Sequence, residues 1–171
     1  MSKLNILIAP DATLKTRARK VERVDDRIRK LMDDMLETMY AAPGIGLAAP
    51  QVGVLERILV LDVAGKDEEP QPMRIVNPEI VWSSEEQATC QEGCLSLPEQ
   101  WADVTRPAEV KVRYLDENNE KQEIHADGLL ATCLQHEVDH LNGVLFTDHL
   151  SPLKRNMIMR KLAKWKKTQA A

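Results

Sequence analysis

Aromatic residues are scarce, with one Phe, two Tyr and three Trp making up 4% of 171 residues. The interior must therefore be built from aliphatic side chains and the seven methionines, which fill irregular gaps without aromatic anchors. Cysteine occurs only as Cys90, Cys94 and Cys133, an odd set that excludes a fully paired disulfide scaffold. Packing, reactivity or metal ligation is left as its use. No run approaches the roughly 18 apolar residues of a membrane-spanning helix, and residues 4–10 hold too short an apolar patch for an export signal. A soluble, cytoplasmic protein with no membrane contact is expected. Carboxylates are missing altogether after Asp148, where seven Lys and Arg residues follow. The net charge of −4 thus divides into an acidic body of −11 over residues 1–148 and a basic end, a balance that argues against a DNA binder.

What is present suits one ordinary domain spanning residues 1–171. From residue 24 to 40 the residues Val24, Ile28, Leu31, Met32, Met35, Leu36, Met39 and Tyr40 recur at helical spacing and predict an amphipathic helix, stopped by Pro43, Gly44 and Gly46. Segments rich in β-branched residues at 57–63, 74–76, 79–83, 110–115 and 121–126 predict strands, the last two joined as a hairpin through Asp116-Glu117-Asn118-Asn119-Glu120. Residues 65–72 read as an exposed loop. Asp127 is a candidate N-cap for a helix ending near Asn142-Gly143, and Ser151-Pro152 opens a last helix. Without regular βαβ alternation, the fold class is α+β: short, mostly antiparallel strands around a central helix, with further helices at the N- and C-terminal ends.

That central helix carries His136-Glu137-Val138-Asp139-His140, which fits H-E-x-x-H. On a helix the pattern projects two imidazoles from one face with a carboxylate beside them, the requirements of a metal site and its proton acceptor. A catalytic site needs a third protein ligand and an open position. The extended H-E-x-x-H-x-x-G-x-x-H pattern fails because Phe146 stands where its last histidine belongs. Candidates are then Asp148 or His149 downstream, which would make a metallopeptidase, and Cys94 or Cys90 upstream. Cys90 and Cys94 together with the two histidines would instead form a closed, noncatalytic Cys2His2 module. The residues alone leave these open.

Gly44-Ile45-Gly46-Leu47-Ala48-Ala49-Pro50-Gln51 adds small residues that admit a ligand backbone and an amide able to donate to an oxygen. Alone this is a weak signal. Together, GIGLAAPQ at 44–51, EGCLS at 92–96 and HEVDH at 136–140 resemble the three signature motifs of the peptide deformylases, complete and in order. The resemblance implies a monomeric metallohydrolase that removes the formyl group from the N-formylmethionine of nascent polypeptides, releasing formate. It further implies Cys94, His136 and His140 as metal ligands and Glu137 as general base and acid. Gln51 and the Leu95 backbone N–H are implied as oxyanion donors. The family favours Fe²⁺ in cells, with Zn²⁺, Ni²⁺ or Co²⁺ as alternatives.

Helical spacing sets Leu129 and Cys133 on the stripe of His136 and His140, where they would wall a pocket for methionine. By resemblance Ile45 and the stem of Glu92 close it, while the Gly46 and Gly93 backbones would pair with the peptide as an added strand. Trp101 departs from the resemblance, which implies a polar or basic residue there. Arg106 is a candidate partner for Asp139 or Glu92. The last helix, apolar at Leu153, Met157, Ile158, Leu162 and Trp165 amid seven basic residues, is a candidate ribosome contact.

Overall fold

The computed structural model describes residues 3–170. The first long helix, α1 (Asp26–Ala41), is capped by Asp25, whose carboxylate accepts from the Ile28 N–H at 3.0 Å. Its buried stripe of Ile28, Met32, Met35 and Met39 follows the expected spacing. Tyr40 differs, lying on the outside with its hydroxyl donating to Asp62 at 2.6 Å. A phenol of this kind is satisfied only by a polar partner, which the sheet beside α1 supplies.

After α1 come β1 (Gly46–Ala48), a short 3-10 turn (Ala49–Val52), β2 (Ile58–Leu61), β3 (Met73–Ser83), β4 (Gln87–Cys94), β5 (Leu97–Pro107), β6 (Val110–Leu115) and β7 (Lys121–Ala126). Five of these form one antiparallel sheet in the order β1-β2-β3-β6-β7, and β4 pairs with β5 in a separate two-stranded sheet. In the central sheet β2, β6 and β7 agree with the sequence pattern, while β1 is an added strand within the glycine-rich segment. β3 is continuous where two segments were expected, because Asn77 takes φ +52 and a bulge absorbs the Asn-Pro step. Its side chain holds the Val21 N–H at 2.8 Å and the Val21 carbonyl at 2.7 Å. Strands β4 and β5 were not predicted at all.

The central sheet is covered on both faces. In β2, Ile58 and Val60 pack towards α1, while Leu59 and Leu61 pack towards α2 (Gly128–Leu141), so every residue of the strand is buried. Leu134, Val138 and Leu141 present the core face of α2. Its other face meets β4 and β5, and a helix pressed between two sheets has little surface left for solvent. Asp127 stands at its N-cap position but makes no capping hydrogen bond, while Gly143 follows the helix at φ +75, as a left-handed stop requires. The last helix, α3 (Pro152–Ala170), docks Ile158 and Leu162 against Leu97, Val104 and Phe146.

Candidate metal centre

Helix α2 and strand β4 bring the chemistry together. Cys94, at the end of β4, and His136 and His140 on α2 place one ligand atom each within 4.8 Å of one another. The Cys94 Sγ lies 3.3 Å from His140 Nε2. Buried His140 Nδ1 has no hydrogen-bond partner among the described residues, and His136 packs edge-on against His140 and stacks on Phe146 at 6.2 Å. One thiolate and two imidazoles on a shared centre suit a borderline-soft divalent ion such as zinc or iron(II). The donor set fits a metal.

The rival ligands stand elsewhere. Asp148 forms an ion pair with Lys15 and accepts from the Leu145 N–H, so its carboxylate caps a turn. His149 reaches Asp139 at 2.8 Å, and Cys90 accepts from the Thr132 hydroxyl at 3.7 Å. None of the three belongs to the Cys94, His136 and His140 group among the described residues.

The imidazole of His136 is oriented from behind. Its Nδ1 meets Glu92 Oε1 at 2.9 Å, and Arg106 grips both oxygens of that carboxylate, at 2.7 and 2.9 Å, while its third nitrogen reaches Asp139 at 2.8 Å. Arg106 therefore joins both of its candidate partners. Burial alone would raise Glu92, but hydrogen bonds from Arg106 and His136 outweigh it and hold the carboxyl down at about 2. A bidentate guanidinium on a buried carboxylate fixes both ring angle and tautomer of the ligand it supports. Arg106→Leu leaves that carboxylate without its main counter-charge. The expected cost is about 3–5 kcal/mol, read as a fall in Tm on the order of 10 °C by differential scanning calorimetry. A change within error would show the network to be dispensable.

Glu137 points the other way, into the cavity. It is buried, its Oε1 has no partner among the described residues, and burial, opposed by His136 and reinforced by Glu92, pushes its pKa up to about 7. A carboxylate poised there can both accept and return a proton near neutrality. Gly46 explains how it fits, since a Cβ on that residue would sit 2.6 Å from Glu137 Oε2 and 2.9 Å from Cys133 Sγ. Gln51 is locked from both ends. Its carbonyl accepts from the Ala48 N–H at 2.9 Å, and its amide donates to Ser96 Oγ at 3.1 Å and reaches Cys94 Sγ at 3.5 Å.

These groups open on a cavity of about 660 Å³, lined among others by Ile45, Gly46, Gln51, Glu92, Gly93, Cys94, Leu95, Leu129, Cys133, His136 and Glu137. Every predicted site residue except His140 thus reaches one space. Burial raises the Cys133 thiol well above its ordinary value, so it is a neutral wall. Sequence reasoning missed Thr132, which lines the cavity one helical turn before His136, a spacing that carried the signal. It also missed Ser96 and Phe146, whose roles depend on contacts with no sequence signature.

The family model described as polypeptide deformylase matches residues 3–156. The chain is 55% identical to a peptide deformylase of Rhizobium meliloti (strain 1021), over 97% of this chain and 95% of the relative. It is 57% identical to one of Phenylobacterium zucineum (strain HLK1), over 93% and 94% of the two chains. Among solved structures, peptide deformylase from Ehrlichia chaffeensis superposes with a TM-score of 0.95 at 45% identity, covering 99% of this chain and all of that one. The same organism's enzyme in complex with actinonin gives 0.92 at 48% identity, with 96% and 98% covered.

Proposed function

The chain belongs to the peptide deformylase family, and from that premise we propose how its residues remove the formyl group from the N-terminal N-formylmethionine of newly synthesised polypeptides, releasing formate. The observation that carries the reading is the gathering of Cys94, His136 and His140 donor atoms beside the inward-facing carboxylate of Glu137. Those three side chains hold one divalent ion, to which we assign iron(II) in cells, the same donors accepting Zn²⁺, Ni²⁺ or Co²⁺. When bound, such an ion lowers the pKa of water and polarises a carbonyl oxygen.

Glu137 takes the proton of the attacking water and returns a proton to the departing amine nitrogen, so the formyl C–N bond breaks with formate and a free α-amine as products. Gln51 and the Leu95 N–H donate to the oxygen where negative charge develops. The bonds to Ala48 and Ser96 support that role by holding the carboxamide of Gln51 in place before reaction. Leu129 and Cys133, with Ile45 and the stem of Glu92, receive the methionine side chain, an unbranched apolar group suited to an adaptable wall. The Gly46 and Gly93 backbones bind the peptide main chain as a strand, a mode that reads little side-chain identity.

The test is release of primary amine from a formyl-Met tripeptide by the iron-loaded protein under anaerobic conditions. We expect turnover by the parent and a kcat lower by roughly 10²- to 10³-fold in Gln51→Ala. No release by the parent would end the assignment.

We also place the protein in the cytoplasm as a monomer; among the described residues no helix is long and apolar enough to cross a membrane. Its helix α3 contacts the ribosome, a reading supported by exposed Leu153 and Met157 on a helix whose charged residues are all basic. Removing residues 153–171 should weaken cosedimentation with ribosomes in a salt-dependent way while tripeptide turnover persists. Equal, salt-insensitive cosedimentation of the truncated and full chains would discard that contact.

A further inference from the structure

At the outer end of the cavity, Trp101 is 62% exposed, and its indole lies so close on the Cα of Gly93 that any side chain at residue 93 would collide with it. In the β4–β5 ladder Gly93 faces Trp101, Glu92 faces Ala102 and Gln91 faces Asp103. Alternation along a strand then puts Trp101 and Asp103 on one face and Glu92 on the other. Glu99, held at φ +62, also reaches the cavity. Glu99 and Asp103 are exposed, and among the described residues neither side chain makes a hydrogen bond or ion pair. The cavity lining contains no Lys or Arg, and the charge of Glu92 is already met by Arg106. An exposed aromatic face with two uncompensated carboxylates beside it attracts a cation.

We propose that Trp101, with Glu99 and Asp103, selects substrates that carry a basic side chain on the residue directly after formylmethionine. The inference rests on the deformylase reading and names a substrate preference of that same site. A peptide lying as a strand along Glu92 and Gly93 alternates in step with them. Its methionine turns to the Glu92 side, towards Leu129 and Cys133, and its second side chain turns to the side of Trp101. A lysine or arginine there lays its aliphatic stem on the indole and its charge over the ring, with the two carboxylates adding attraction through solvent. Lysine and norleucine share that stem and differ in the ammonium group, so the pair isolates the charge.

The experiment compares formyl-Met-Lys-Ser with formyl-Met-norleucine-Ser by kcat/KM, and the two N-acetyl counterparts by calorimetric binding. Both are run on the iron-loaded parent, Trp101→Leu and the double variant Glu99→Gln/Asp103→Asn. The parent is expected to favour the lysine peptide about three- to tenfold in both measurements. That ratio should fall towards one in each variant, and in the parent as salt is added. A parent ratio at or below one, or a ratio that survives both sets of substitutions, overturns the proposal. Selective binding of the acetyl-lysine peptide without turnover of either formyl peptide would instead leave it standing and count against the deformylase reading.

Discussion

Glu137→Gln is expected to lower kcat by roughly 10²- to 10⁴-fold, the range that a positioned general acid–base supplies, while metal content and fold stay as in the parent. Glutamine keeps the size of the side chain and fits the space that Gly46 leaves open, so no clash arises. It cannot accept a proton. Because Glu137 Oε1 has no partner among the described residues, the substitution breaks no hydrogen bond of the folded protein. Relief from a buried charge should make the variant at least as stable as the parent. Loss of turnover with retained stability is thus the signature of a proton-transfer role, measured by amine release together with thermal melting. A variant that keeps parental turnover would remove Glu137 from the reaction, and a variant that melts early would make it a structural residue.

Stripping the metal should have the second large effect. Dialysis against a chelator is expected to abolish turnover and to lower Tm on the order of 10 °C, since an ion bound at 1,000 times its Kd stabilises the native state by about 4 kcal/mol. Anaerobic return of Fe²⁺ should restore both, and Cys94→Ala should restore neither. The reason lies in the support of the ligands. Glu92 fixes His136 at 2.9 Å, and Arg106, itself held by Asp139, braces Glu92 in turn, so the imidazole is aimed before an ion arrives. Glu92→Gln loses the charge that Arg106 grips and should weaken metal affinity by about 10- to 100-fold, read by chelator competition. Unchanged turnover and melting after chelation would exclude a metal from both chemistry and stability.

Much of this site is written in short stretches of chain. The histidines of HEVDH are four residues apart, and any helix through them sets both rings on one side. GIGLAAPQ likewise carries part of its own geometry, since Gln51 bonds back to Ala48 three residues away. Local spacing decides such contacts, so they are legible in sequence. Strands β4 and β5 show the opposite case. Residues 87–107 are largely polar, carry Pro98 and Pro107, and offer few β-branched residues, so no strand pattern stands out. They form a ladder because they close over α2, with Glu92 and Arg106 turned inward and Trp101 outward. That choice is made by the partner surface. Tyr40 follows the same logic, since its place in the apolar rhythm of α1 was overruled by Asp62 just after β2.

The sequence by itself determined the helix that carries two imidazoles and a carboxylate, the α+β class and the acidic body with its basic end. These depend on neighbours within a few residues, where backbone periodicity and side-chain size leave little choice. Only the tertiary structure decided which of Cys90, Cys94, Asp148 and His149 stands beside the two rings, because those residues lie far along the chain and chain separation says nothing of distance. It also joined Arg106 to both of its candidate partners and made it the brace of a buried carboxylate. Burial made the difference: a charge withdrawn from water must find its partner, and that partner is known only once the chain has closed around it.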